Sequence, residues 1–402
     1  MDFGPMISSL MRNKTGPLLV SLQIAVTLAI VINSLFIVLQ RVEKINRETG
    51  IDVDNVIIAY VRGFSEGFDV VDSIRNDLDL LRSIPGVSAV SVTNQVPLSG
   101  SGSGSGLRAI PDETIDAAPT GRYVWSDNGL DALGVELTRG RNFYPEEIEY
   151  ILPQGDSPNR DSILITQALA DELFPDDDAL GKTVYWGGME PSIIVGIIGH
   201  MHGSWVGWDK LTNVVIQPGI VADTTNKYMI RVEAGMRDEL MPIVEQQLAE
   251  SNRQRVVKGV RSLEEMAARS YRRDRGMAII LGIVITLLVG LTALVVVGLS
   301  SFHVTQRTKQ IGTRRALGAK KRDIIKQFVL ENWIITTAGA VLGALLTVVV
   351  AYWLETSFSL PRLDWSYLPI GIVCLWVLST LAVIEPARRA ASVPPAVATR
   401  SV

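Results

Sequence analysis

The sequence predicts an α-helical membrane protein with four transmembrane helices and a large α+β domain between the first helix and the second. Three observations lead to this fold class. Four stretches contain no Asp, Glu, Lys or Arg, namely residues 15–40, 276–306, 332–354 and 365–384. Each has about 20 residues or more, enough for a helix to cross roughly 30 Å of hydrocarbon. Residues 41–275 are instead rich in charge, and a strongly basic segment follows the second stretch.

The distribution of charge predicts the orientation of these helices. The N-terminal segment, the loop at 304–331 and the tail at 385–402 together carry 13 basic and four acidic residues, whereas residues 41–275 carry 24 basic and 36 acidic ones. Short loops rich in Lys and Arg stay on the cytoplasmic side. We therefore expect both termini in the cytoplasm, a multi-pass arrangement in a bacterial inner membrane, and the main domain in the periplasm. The first stretch is too long for the apolar region of a signal peptide and is interpreted as an anchor.

The expected domain boundaries follow these stretches. They are a cytoplasmic N-terminal segment at 1–16, transmembrane helices at 17–40, 276–303, 332–354 and 367–384, a periplasmic domain at 41–275, a cytoplasmic coupling loop or helix at 304–331, a short periplasmic loop at 355–366 and a cytoplasmic tail at 385–402. Charged, helix-compatible segments at 41–50 and 262–275 predict stalk helices that continue the first two transmembrane helices outward.

A weak internal repeat organises the large domain. Its first copy predicts a strand, an amphipathic helix and a strand at 54–61, 69–83 and 87–93, and its second copy predicts the same order at 227–232, 236–251 and 255–260. Two β-α-β units around an insertion predict a membrane-proximal subdomain at about 51–94 and 227–261. The insertion at about 95–226 predicts a mixed, strand-rich distal subdomain. Within it, four Ser-Gly repeats at 99–106 predict a flexible surface loop.

The chain offers little for catalysis or for a metal site. It has three histidines, and His200 and His202 lack an accompanying Cys or acidic ligand cluster. Lys182 follows a glycine as in a phosphate-binding loop, but Asp176 stands where that loop requires another glycine. The single cysteine, Cys374, lies in the fourth stretch and predicts no disulfide in the large domain. We therefore expect a non-catalytic chain that binds no cofactor, no metal and no nucleic acid.

Small and polar residues inside the apolar stretches predict helix packing. Gly339 and Gly343 form a GxxxG pair, which lets two helix backbones approach closely either within one protomer or between two. Thr27 and Asn33 are polar but uncharged, and hydrogen bonding between helices explains them better than a substrate path. Outside these stretches, the Trp-rich segment 204–208 predicts either a protein contact or a buried corner.

The basic segment at 306–331 carries the most specific signal. It reads QRTKQIGTRRALGAKKRDIIKQFVLE, with eight Lys or Arg and two acids. In its second half Ile324, Ile325 and Phe328 share one face, which predicts an amphipathic helix. A basic, amphipathic helix between two membrane spans is where we expect a soluble partner to push.

This segment closely resembles the (E/Q)RT-x-x-IG-x-(R/K)(R/K)ALGA signature of MacB/FtsX-type ABC permeases. The segments at 133–143, 166–184 and 385–400 resemble other parts of the same family. The resemblance implies a permease module that works as a dimer with a separate ABC ATPase, which binds ATP and Mg. MacB itself carries a fused N-terminal nucleotide-binding domain. In this sequence the first span already begins near residue 17. The residues expected to couple to the ATPase are Ile311, Gly312, Arg314, Arg315, Ala316, Leu317, Gly318, Ala319, Ile324, Ile325 and Phe328, with Arg314 and Arg315 meeting acids or backbone carbonyls of the partner.

The function expected from this resemblance is mechanotransmission. An ATPase that closes on ATP would push on the basic segment, and the spans would carry the displacement to the periplasmic domain, driving export of periplasmic cargo. Expected partners are the ATPase, a second permease protomer in a homodimer or heterodimer, a periplasmic adaptor and an outer-membrane channel. The alternatives are an FtsX-like signalling module that regulates a periplasmic hydrolase or senses a peptide, and a lipoprotein-extraction permease.

Overall fold

The computed structural model describes residues 15–152, 161–358 and 361–392. The expected cytoplasmic N-terminal segment, apart from residues 15 and 16, and the tail beyond residue 392 lie outside the described residues. The described residues form two compact units, one within 1–46 and 274–402 and the other within 47–273. We call the first the membrane unit and the second the large domain.

The elements follow one another in an order that agrees with the expected fold class. In chain order they are α1 (Thr15–Ile45), β1 (Val56–Gly63), α2 (Val70–Ser83), β2 (Val87–Thr93), β3 (Gly104–Leu107), β4 (Ala118–Trp125), α3 (Gly129–Leu133), β5 (Leu137–Gly140), β6 (Tyr150–Ile151), β7 (Ser162–Thr166), α4 (Gln167–Leu173), β8 (Thr183–Tyr185), β9 (Pro191–Ile198), β10 (Val214–Pro218), β11 (Ile220–Val221), β12 (Thr225–Val232), α5 (Arg237–Ser251), β13 (Arg255–Ser262), α6 (Leu263–Ser270), α7 (Arg272–Ala316), α8 (Lys321–Phe358) and α9 (Tyr367–Ser392).

Four helices of the membrane unit, α1, α7, α8 and α9, are long and apolar enough to cross a membrane. All four extend beyond the apolar stretches of the sequence at one or both ends. Helix α7 has 45 residues and continues without a break into the basic segment as far as Ala316, in the half that was expected to be a loop. The continuation has a local reason. Residues 304–316 contain no proline and a single glycine, Gly312, and their Arg, Lys and Gln residues favour helix.

The expected stalk helices differ from the structure. Helix α1 ends at Ile45, five residues before the expected end of the first stalk, and Gly50 then adopts a positive φ of 69° that helix cannot accommodate. In the second stalk, helix α6 ends at Ser270 and α7 begins at Arg272, so Tyr271 separates two helices. Ser262 caps α6 by accepting a hydrogen bond from the backbone N–H of Glu265.

The two predicted β-α-β units pair into one four-stranded antiparallel arrangement. Its strand order is β13-β1-β12-β2, so each unit contributes one central and one outer strand. Helices α2 and α5 pack on one face of these strands and bury Ile74, Leu81 and Val244 against Ile57 and Ile230. Asp69 caps α2 by accepting from the N–H of Asp72, and α2 has acidic and basic ends that suit its dipole.

The distal part continues the same sheet. The full order is β13-β1-β12-β2-β4-β10-β7-β9-β5, and β2 meets β4 at the single pair Thr93 and Trp125. Within the distal part, β3 pairs with β4 and β8 with β9, and Arg108 bridges Tyr185, which closes the strands around a separate apolar core that includes Leu107 and Val184. A third core, centred on Trp125 and Met229, joins residues of both expected subdomains, so the large domain is one compact unit.

The prediction of a flexible loop for the Ser-Gly repeats is wrong at its end. Residues Gly104–Leu107 form strand β3, with Gly104 opposite Gly121 and Leu107 opposite Ala118. The composition of these residues disfavours strand, but pairing with β4 and burial of Leu107 override that local preference.

Candidate functional site

The basic segment turns sharply between α7 and α8. Gly318 has a φ of +97°, the left-handed conformation that ends many helices and that glycine adopts without strain. The N–H groups of Gly318 and Ala319 donate to the carbonyls of Arg315 and Arg314, each at 3.1 Å. On the other side of the turn, the N–H of Lys320 donates to Asp323 Oδ2 at 3.2 Å. These bonds close the ends of both helices and leave the tip of the turn outside them.

The tip of this turn is exposed, apolar at its centre and basic around it. Leu317 exposes 84% of its surface, the highest value among the exposed large apolar side chains of the described residues. Arg314, Ala316 and Gly318 are also exposed, as are four further cations. We call this surface the basic elbow; it consists of Arg314, Ala316, Leu317, Gly318, Lys320, Lys321, Arg322 and Lys326.

The other expected coupling residues occupy different positions. Ile311, Gly312, Ile324 and Phe328 are buried in the membrane unit. The three apolar side chains among them belong to one apolar core together with Val20 of α1. These residues therefore lie inside the membrane unit, and the exposed residues of the expected set are Arg314, Ala316, Leu317 and Gly318. Three more are half-buried at the border of the elbow, namely Arg315, Ala319 and Ile325.

Two hydrogen-bonded pairs connect α7 with α8 beneath the elbow. Arg314 Nη1 donates to Gln327 Oε1 at 2.6 Å, and Arg307 Nη1 donates to Glu331 Oε1 at 2.7 Å. Glu331 is 4% exposed, whereas Asp323 is exposed at the start of α8. The elbow therefore presents a predominantly positive surface. Its position is fixed by the two hydrogen bonds between α7 and α8.

Sequence reasoning omitted several of these residues from the coupling set. Lys320, Lys321 and Arg322 are exposed beside Leu317, and their signal was present as a run of three cations. The contact between Arg307 and Glu331 was also missed. The sequence signal for this contact was Glu331, a single acid directly before the charge-free stretch 332–354.

Gly339 and Gly343 lie on α8 against α1 of the same protomer. A Cβ atom built on Gly339 would lie 2.8 Å from the Cβ of Ile24, and one built on Gly343 would lie 2.9 Å from the Cβ of Leu28. The absence of side chains at these two positions lets the helix backbones approach closely.

Polar side chains add hydrogen bonds between the apolar helices. The hydroxyl groups of Thr27 and Thr292 are 2.9 Å apart and connect α1 with α7, while Asn33 Nδ2 donates to the carbonyl of Thr347 at 3.4 Å. The side chain of Ser379 on α9 contacts Asn332 and Thr336 of α8. Asn332 and Ser379 were not singled out from the sequence.

The large domain contains one aromatic feature that the sequence had indicated. Trp205 and Trp208 are half-buried with their rings edge to face, 5.6 Å apart, and they line an open cleft with Gly104 and Pro119. His200 and His202 lie with ring centres 5.0 Å apart. Among the described residues, no group of three or more His, Cys, Asp or Glu side chains could hold a metal ion.

Comparison with known families decides what kind of chain this is. The family described as MacB-like periplasmic core domain matches residues 19–270, and the family described as FtsX-like permease C-terminal matches residues 282–395. The chain belongs to the MacB/FtsX family of ABC transporter permeases. For this MacB-like permease the family implies an ABC ATPase as partner.

Curated relatives agree with this assignment at low sequence identity. The permease is similar to the ABC transporter permease YvrN of Bacillus subtilis, with 26% identity over 60% of this chain and 59% of the relative. It is also similar to the macrolide export ATP-binding/permease protein MacB of Campylobacter jejuni, with 25% identity over 80% of this chain and 48% of the relative. The chain spans about half the length of the curated relatives it matches.

Solved structures of extramembrane domains also match the permease. The periplasmic region of MacB from Actinobacillus actinomycetemcomitans matches with 12% identity over 54% of this chain and 92% of that one, at a TM-score of 0.33. The extracellular domain of the ABC-type transporter YknZ matches with 14% identity over 50% of this chain and 100% of that one, at a TM-score of 0.32.

Proposed function

We propose that this MacB-like permease transmits the ATP-driven motion of a separate ABC ATPase across the bacterial inner membrane to its large domain, and that this motion drives export of periplasmic cargo. The observation that carries the proposal is the exposed Leu317 at the centre of the basic elbow. An apolar side chain surrounded by cations suits a partner surface with an apolar pocket and an acidic rim.

The helix that ends at the elbow supports a mechanical role. Helix α7 continues without interruption from Arg272, among the last residues of the large domain, to Ala316 at the elbow. At about 1.5 Å per residue, its 45 residues span about 67 Å. A single helix of that length can carry a displacement from one end to the other without a flexible connection.

The remaining parts of the proposal concern arrangement and partners. We infer cytoplasmic termini and a periplasmic large domain, because the elbow and the N-terminal segment are basic and residues 41–275 are acidic. A second permease protomer completes the dimer that an ATPase pair requires. A periplasmic adaptor and an outer-membrane channel would receive the cargo. ATP and Mg would be bound by the ATPase, with no cofactor in this chain and no reaction catalysed by it.

A pair of matched substitutions tests the coupling role of the elbow. We expect Leu317→Asp to lower stimulation of the co-purified ATPase at least tenfold while the chain still inserts into the membrane. Ala316→Asp should act in the same way. The control is Ile110→Asp, which makes the same kind of change at an exposed position in the large domain. Equal ATPase stimulation in the Leu317 variant and the control would contradict the proposal.

The orientation can be tested with single cysteines. Because Cys374 is the only cysteine, a Cys374→Ser chain provides a background without thiols. In that background we expect Leu317→Cys to react with a membrane-impermeant maleimide only after the inner membrane is permeabilised. Ser101→Cys, which is exposed in the large domain, should react before permeabilisation. The reverse order of labelling would overturn the proposed orientation.

A further inference from the structure

Helix α7 makes few apolar contacts along its membrane-spanning part. In the most apolar 18-residue segment of α7, 11% of the residues are buried, compared with 50% in the corresponding segment of α1. Its glycines at 276, 282, 290 and 298 face open space, since a Cβ atom built on any of them would meet no atom within 4 Å. Within the protomer, the middle of this helix is therefore held mainly by Thr292, which is hydrogen-bonded to Thr27, and by the buried Val296.

The first end of α7 is held by a buried carboxylate. Asp274 lies in the first turn of α7 and is 5% exposed. It forms an ion pair with Arg41 and a second one with Lys44 Nζ, at 3.2 Å, both from the last turns of α1. An acid in the first turn also interacts favourably with the helix dipole.

The other end of α7 is held in the same way by a second helix. Arg307 of α7 donates to Glu331 of α8 at 2.7 Å, and Glu331 is 4% exposed. The side-chain amide of Gln327 lies 3.5 Å from the same carboxylate oxygen. At about 1.5 Å per residue, Asp274 and Arg307 are separated by about 50 Å along α7. That distance exceeds the roughly 30 Å hydrocarbon layer, so the helix is long enough to place one ion pair beyond each face of it.

We propose that Asp274 and Glu331 are positioning residues that clamp the two ends of α7 to α1 and α8, so that α7 moves together with these helices when the elbow is displaced. Buried ion pairs contribute little net stability compared with apolar contacts, but they determine which side chains meet. Two such pairs, on a helix that has few other buried residues, fix its register at both ends and add to the contact between Thr292 and Thr27. This inference rests on the proposed function, in which an ATPase acts on the elbow.

The inner clamp can be tested by exchanging its charges. In the full chain with Cys374→Ser, spin labels at Phe302 of α7 and Thr337 of α8, both exposed, report the distance between the helices. Labelled chain is diluted with unlabelled chain to suppress signals between protomers. We expect a narrow distance distribution in the parent chain, a broader one in Glu331→Gln and a narrow one again in the exchanged variant Arg307→Glu with Glu331→Arg.

A matched control lies at the other end of α8. Glu355 also pairs with an arginine, Arg362, at 2.9 Å, but the side chains are 34% and 88% exposed. Glu355→Gln makes the same chemical change in the same helix and should leave the distribution narrow. An unchanged distribution in Glu331→Gln, or a broadened one that the exchange of charges does not restore, overturns the clamp.

A second readout separates the clamp from the proposed function. With the co-purified ATPase, Glu331→Gln should retain ATPase binding but lower its stimulation at least fivefold, and the exchanged variant should restore it to within twofold. Asp274→Asn should likewise retain ATPase binding and lower ATPase stimulation. If the parent chain binds no ATPase, the proposed function fails, and the distance measurement still decides the clamp. If neither Glu331→Gln nor the exchanged variant accumulates in membranes, the clamp is overturned, because a specific ion pair would be restored by the exchange.

Discussion

Asp77 and Arg255 form an ion pair inside the large domain, with 2% and 1% of their side-chain surfaces exposed. Tyr228 donates to Asp77 Oδ2 at 2.6 Å, and Arg255 Nη2 donates to the carbonyl of Leu248 at 2.9 Å. Burial, together with the negative charge of Asp77, raises the pKa of the Tyr228 hydroxyl. The pair therefore connects α2, β12, α5 and β13, which come from both halves of the internal repeat.

We expect Asp77→Asn to destabilise the large domain by about 3–5 kcal/mol, because it leaves the guanidinium of Arg255 buried without a counter-charge. Hydrogen–deuterium exchange of the amides in β1 and β12 measures this loss as a local free energy of opening. The control is Asp72→Asn, which removes an exposed pair with Arg75 and should cost less than about 1 kcal/mol. Equal protection of both variants would show that the buried pair contributes nothing.

A second prediction concerns the glycines of α8. We expect Gly343→Val to destabilise the membrane unit by about 1–3 kcal/mol, because its Cβ would lie 2.9 Å from the Cβ of Leu28 and 3.0 Å from the Cα of Ala25. The matched control is Gly290→Val in α7, where the built Cβ meets no atom within 4 Å. Thermal unfolding of the solubilised chain checks this. If the variant dissociates a dimer without loss of stability, the contact that matters lies between protomers.

Much of the large domain could be predicted because its signals are local. The strand at 87–93 begins after a Pro-Gly turn, and α2 and α5 have apolar residues at helical spacing, so these elements were expected close to where they lie. The continuity of the sheet could not be predicted in the same way. It depends on the pairing of Thr93 with Trp125 and on strands such as β3 whose own composition opposes the conformation.

The candidate site shows the same division between local and long-range signals. Charge and motif indicated the elbow, and Leu317 is exposed there. The same pattern could not separate Ile311 and Phe328, which are buried in the membrane unit, from residues that face outward. Burial in that unit depends on where α1 and α9 pack, and no spacing within the basic segment contains that information.

A third prediction is a loss of stability in mild acid. Burial of His202, together with the nearby His200 and Arg47, lowers the pKa of its ring to about 4. Since the folded pKa lies below the unfolded value of about 6.5, stability is fully present above pH 6.5 and is lost as the pH falls towards 4. We expect a loss of about 1–2 kcal/mol between pH 7 and pH 5 after allowance for solvent.

The variant His202→Gln should remove most of this pH dependence. The pKa of Glu147 is lowered to about 2, first by its hydrogen bond from Arg141, so that carboxylate contributes stability that is lost only below about pH 4.5. Denaturant unfolding measured between pH 5 and pH 7 therefore excludes the contribution of Glu147, and the comparison with His202→Gln identifies that of the histidine. An identical pH dependence in the variant would show that other groups cause the acid sensitivity.

A fourth prediction concerns the segment that enters the large domain. Gly50 has a φ of +69°, and a Cβ atom built on it would lie 1.8 Å from the carbonyl oxygen of His200. The same segment accepts a hydrogen bond at the carbonyl of Thr49 from the N–H of His202, at 2.9 Å. An alanine at position 50 must therefore displace backbone that is already hydrogen-bonded. We expect Gly50→Ala to destabilise the domain by about 3 kcal/mol, combining the left-handed conformation with the overlap.

Gly67 provides a matched control for this substitution. Its φ is +73°, almost the same as that of Gly50, but a Cβ atom built on it meets no atom within 4 Å. Gly67→Ala should therefore cost only the conformational part, about 1–2 kcal/mol. The difference between the two variants, measured by denaturant unfolding of the same solubilised chain, reports the close approach of the loop at His200. The two glycines share their backbone conformation. Equal losses of stability in the two variants would therefore mean that the loop at His200 moves aside without cost and does not hold the segment around Gly50 in place.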